Sequence, residues 1–82
     1  MSERPATRAD LRAVAWYWLR WRDALGPKQT ECALHLIATL DADERDDPKA
    51  ARVVAAWLAR NVTETDQYGR PVALHWHDPV PA

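Results

Sequence analysis

Four side chains in this sequence have the donor chemistry of a metal site. Cys32 and His35 lie three apart, which puts both on one face of a helix. His75 and His77 lie two apart, which puts both on one face of a strand. A thiolate and three imidazoles make a tetrahedral CysHis3 zinc set, and a zinc-stabilised module is the reading they offer. Against it, Cys-x-x-His has no second knuckle here, and His-x-His is a common pair. The plainer reading is four surface residues with no cofactor. The run Asp41-Ala42-Asp43-Glu44-Arg45-Asp46-Asp47 has the carboxylates of a calcium loop but not its spacing. Arg45 stands where an oxygen ligand belongs, and Asp46 where the turn glycine belongs.

Catalytic patterns are missing from the chain. It contains no nucleophile elbow, no phosphate-cradling glycine loop and no metalloprotease helix. Both glycines, Gly26 and Gly69, read as cap and turn residues. Cys32 beside His35 could form a thiolate pair, but so short a chain implies no cleft around it. The expectation is a protein that is not an enzyme.

Aromatic residues are the unusual resource. The chain has five Trp, two Tyr and no Phe, and four of these rings fall between Trp16 and Trp21. Four large rings in six helical residues cannot all face one core stripe. Trp18 is expected inward. Trp16 falls on the polar side, with Arg12 and Arg20 one turn away in each direction, where their guanidiniums could stack on its indole. Arg12, Trp16, Tyr17, Arg20 and Trp21 together have the composition of a protein-binding hot spot. The alternative is an indole shielded by its own arginines or by the C-terminal strands.

Lys49, Arg52 and Arg60, with Ala56 between them, form a basic stripe along a third helix, and Tyr68-Gly69-Arg70 falls in a turn that follows. Three helices followed by a hairpin resembles the element order of winged-helix DNA-binding domains, in order only. That resemblance implies the third helix in the major groove and Arg70 at the tip of the wing. Asp46 and Asp47 at the helix start, and the near-neutral charge, count against it.

The elements that must position these residues follow from periodicity and punctuation. A first helix is expected from about 9 to 25, with Thr7 and Asp10 as a capping box and Gly26-Pro27 as its stop. It carries Leu11, Val14, Ala15, Trp18 and Leu25 on one stripe, with Trp21 at the edge. A second helix is expected over 28–40, followed by a solvated acidic loop. The third is expected over 48–61, capped by Asp47 and started by Pro48. Two strands between 62 and 76 form a hairpin across the turn 66–71. The tail 78–82 continues no pattern and is expected to be mobile. The expected core is Leu11, Val14, Trp18, Ile37, Leu40, Val53, Val54, Trp57 and Leu58, closed by Val72, Leu74 and Trp76.

These 82 residues have room for one mainly α (α+β) domain, a compact three-helix fold with a short C-terminal β-hairpin. Net charge is −1, unevenly spread. Residues 1–28 carry six Lys/Arg against three acids, and residues 29–51 carry two against six. No apolar leader and no run long enough for a bilayer is visible, and one cysteine makes no disulfide. A cytoplasmic location is the default. The sequence therefore points to a tryptophan-rich protein-binding module, an inhibitor, adaptor or accessory subunit. It would meet a protein partner or a second copy of itself, with DNA binding as the alternative.

Overall fold

The computed structural model describes residues 2–76, in the order β1 (Ser2–Pro5), α1 (Arg8–Arg20), α2 (Arg22–Leu25), α3 (Pro27–Glu44), α4 (Pro48–Arg60), β2 (Val62–Thr65) and β3 (Pro71–His75). The molecule is mainly α with a small antiparallel sheet. His77 and the tail 78–82 lie outside the described residues.

The capping signals act as read. Thr7 accepts from the Asp10 N–H at 3.2 Å, and Asp10 accepts from the Thr7 N–H at 2.9 Å. Asp47 accepts from the N–H groups of Lys49 and Ala50, which opens α4 behind Pro48. Asn61 ends α4, its side chain donating to the Trp57 carbonyl at 2.7 Å.

Helix boundaries depart from the sequence reading in two places. The expected helix 9–25 is interrupted at Trp21 (φ −105°, ψ 25°), where the Arg22 guanidinium donates to the Leu19 carbonyl. The break turns Leu25 out of the core stripe, and it is 40% exposed. Helix 28–40 in fact runs on to Glu44, so half of the expected acidic loop is helical. Acids in a last turn oppose the helix dipole. Here α1 compensates them. Arg8 bonds Asp43 at 2.7 Å, and Arg12 bonds Asp41 and Glu44 at 3.0 Å each. The true stop is Asp46, in the left-handed region at φ 61°. Asp47 N–H then donates to the Ala42 carbonyl and Asp46 N–H to that of Asp43, a Schellman ending without its usual glycine.

The sheet has one strand more than the expected hairpin. β2 is central, with β3 antiparallel on one side and β1 antiparallel on the other. Ser2 pairs with Thr65 and Pro5 with Val62, and the hydroxyls of Ser2 and Thr65 meet at 2.7 Å. A bulge at Glu64/Thr65 shifts the β2–β3 register. Val72 falls at this irregularity, between the paired Ala73 and Pro71, and is 54% exposed instead of closing the core.

Leu11, Ala15, Trp18, Ala33, Leu36, Leu40, Val54 and Trp57 form the buried core, with Val14, Ile37, Leu58, Leu74 and Trp76 packed against it. Val53, expected inside, is exposed at the edge of the α4 face. Trp76 stands edge-on to Trp18 and Trp57, with ring centres 6.1 and 5.7 Å away.

Asp10 joins the layers. Its carboxylate takes two bonds from the Arg4 guanidinium, at 2.6 and 3.1 Å, one from the Thr7 N–H, and one from the Thr63 hydroxyl at 3.0 Å. Burial opposes its charge, but these donors outweigh burial and lower its pKa from 3.8 to about 2. A depressed carboxylate stabilises the fold above its unfolded pKa, and that contribution is lost as pH falls from 3.8 toward about 2. Asp10→Asn, which keeps the shape and removes the charge, is expected to cost about 2–3 kcal/mol by urea unfolding at pH 7. The gap to wild type should narrow as pH approaches 2; a gap independent of pH would show that the carboxylate charge is not what holds these segments. Asp46→Gly, which relieves the left-handed backbone, is expected to raise stability by about 0.5–1 kcal/mol in the same assay.

Candidate interaction surface

The five tryptophans divide into two groups. Trp18, Trp57 and Trp76 are the internal cluster, and His35 packs its ring edge-on to Trp57 at 5.6 Å. Trp16 and Trp21 stand outside with Tyr17, exposed by 57%, 48% and 57%. Helix geometry explains the division. Leu11, Ala15 and Trp18 lie within one 60° arc of α1, and Trp16 and Tyr17 fall on the two flanks of the opposite side.

The arginines around these rings take different places from those expected. Arg12 does not cover Trp16, because its guanidinium is bound by Asp41 and Glu44 and acts as a strut between α1 and α3. Arg20 lies over Trp21, its guanidinium carbon 5.6 Å from the ring centre, not over Trp16. Tyr17 and Trp21 touch as tilted rings 6.5 Å apart. Trp16 has no ring or cation–π partner among the described residues. The face is therefore a bare indole on one flank and a Tyr17–Trp21–Arg20 stack on the other.

Beside that stack, α1 and the sheet splay apart into an open groove of about 510 Å³. Val14 and Tyr17 form one wall, Val72 and Leu74 the other, and Asp10 and Thr63 sit at its polar end. The sequence reading did not find this groove, because strict alternation placed Val72 inside. The Pro71 start of β3 and the bulge opposite it are the local features that open the wedge.

The other candidate residues are not drawn into one site. Lys49, Arg52 and Arg60 are exposed on α4 and carry no ion pair among the described residues. Arg70 is held by Asp66 at 3.1 Å and stacks on Tyr68 at 5.1 Å. The α4 N-terminus, where a phosphate would sit, already holds the Asp47 carboxylate. Cys32 is half-buried on α3, and His35 is exposed against Trp57. His75 faces Glu64, with Nε2 3.4 Å from its carboxylate. Among the described residues no three His, Cys, Asp or Glu side chains gather as metal ligands. No helix among them is long and apolar enough to cross a membrane.

If Arg12 is a strut, Arg12→Ala should lower stability by about 1 kcal/mol at low salt, and the loss should shrink in about 1 M salt. A salt-independent loss in thermal unfolding would instead assign Arg12 a packing role. No protein family, curated protein or solved structure matches this chain.

Proposed function

We propose that this chain is a non-catalytic protein-binding module that works by covering a surface of another protein chain with the outer face of α1. One observation carries the reading: Trp16, Tyr17 and Trp21 are about half exposed along α1 and its C-cap, while three other tryptophans already fill the interior. Exposed Trp and Tyr grouped with arginine are enriched at the centres of binding interfaces. They also tend to associate non-specifically, so a soluble fold keeps such a patch small unless it is used. The rigidity of α1 supports the reading too. Its capping box and its struts to α3 fix the helix that carries the rings before any partner arrives, which lowers the ordering cost of binding. Inhibitor, adaptor and accessory subunit are the roles open to a chain that acts by occupancy alone.

Lys49, Arg52 and Arg60, exposed and without an ion pair among the described residues, favour a second reading, contact with a nucleic-acid backbone along α4. The Asp47 cap and the engaged Arg70 support it less.

A photo-crosslinking residue placed at Tyr17 identifies what α1 touches in lysate, and the purified pair then gives an affinity. Trp16→Ala is expected to weaken that complex about 30-fold, which is about 2 kcal/mol, with thermal unfolding unchanged. Unchanged affinity removes Trp16 as an anchor. Duplex DNA bound at low salt and lost in Arg52→Ala would favour the α4 reading.

A further inference from the structure

The spacing of rings, alanines and groove along α1 points to its occupant. Tyr17 sits midway between Ala13 and Trp21, four residues from each. Both lie within about 40° of Tyr17 around the helix, on the flank where the groove opens. Ala13 is at the mouth of that groove, and Trp21 is a large ring about 12 Å further along the axis. A two-fold axis through Tyr17 and across α1 therefore brings each Trp21 level with Ala13 of another copy. There the small side chain leaves room and the Val14–Tyr17–Val72–Leu74 walls provide apolar contact. Such an interface is isologous, so the same Trp21–groove contact occurs twice in it.

We infer that the protein outer face of α1 covers is a second copy of this chain, packed antiparallel with each Trp21 seated in the other's groove. The inference rests on the reading of α1 as a contact surface and names its occupant.

Charge permits the self-pairing, and area sets its strength. Two basic helices would normally repel, but Arg8 and Arg12 are neutralised by Asp43, Asp41 and Glu44 of their own α3. Arg20 falls level with Val14 of the other copy, about 9 Å along the axis from the opposing Arg20, so no like charges meet directly. Half of the Tyr17 and Trp21 rings is about 200 Å² of exposed surface per copy. The groove walls add to this, which sets the contact at the small end of the range, below about 600 Å² per partner, where dimers are weak and reversible.

Sedimentation equilibrium on the whole chain from about 1 to 500 µM, where a modest interface dissociates, tests the inference. The expected result is a reversible equilibrium between the 9.4 kDa chain and twice that mass. Trp21→Ala and Ala13→Arg should each weaken dimerisation tenfold or more while the far-UV circular dichroism melt is preserved. Mixing the two variants should restore part of the association, because the intact Trp21 of the Ala13→Arg chain meets the open groove of the Trp21→Ala chain. A wild-type monomer at every concentration overturns the inference, as does a dimer indifferent to both variants, or folded variants that show no recovery on mixing. A monomer whose Trp16→Ala form still loses a crosslinked partner leaves the α1 surface standing and assigns it to a different chain.

Discussion

The carboxylate of Asp10 holds together parts of the chain that have little else in common. Arg4 belongs to β1, Thr7 to the turn into α1, and Thr63 to the central strand β2, and all three donate to Oδ2 of this one carboxylate. Without that meeting point the sheet and the helical layer would share mainly the apolar contact of Leu74 and Trp76. A small fold buries too little apolar surface to rely on packing alone. Charge-assisted hydrogen bonds at a nearly buried carboxylate are stronger than neutral ones and also fix direction. The orientation of α1 against the sheet, and so of every ring on its outer face, depends on this carboxylate.

Helix α1 has two duties that compete for the same thirteen residues. Its inner arc holds Leu11, Ala15 and Trp18 in the core, and its flanks supply Arg8 and Arg12 as ties to α3. What remains is the outward arc, and there the chain places aromatic residues where a solvated helix would carry charge. The internal Trp18–Trp76–Trp57 cluster makes this choice informative, since the interior does not want for indoles.

Much of this was legible from the residues. Thr7 with Asp10, Asp47 with Pro48, and Asp66 through Gly69 each mark a boundary by a local hydrogen bond that the side chain makes with its own backbone. The mainly α fold with a C-terminal strand pair follows from those marks and from periodicity. The rest depended on partners distant in sequence. Strand β1 is polar and four residues long, and it exists because β2 pairs with it and Asp10 holds Arg4. The last turn of α3 reads as loop until Arg8 and Arg12 are seen to neutralise its acids. Trp16 could be placed outside by angle alone. Whether Arg12 would shield it was decided by α3, and the groove beside Tyr17 was hidden by a bulge that strict alternation cannot show.

The pairing of residues 2–5 with 62–65 also orders events during synthesis. β1 leaves the ribosome before the other elements, yet its strand partner among the described residues is about sixty residues away. Helices α1 to α4 form from neighbouring residues and can collapse on one another as they emerge, because short-range contacts close quickly. Through that whole period β1 is a strand with no ladder, and Arg4 reaches an Asp10 that still lacks Thr63. Closure of the sheet, and with it the full anchoring of α1, is therefore a late and concerted step taken once β2 is free. Exposed aromatic rings on a helix not yet anchored are a hazard for any nascent chain, and here that hazard lasts until β2 has emerged.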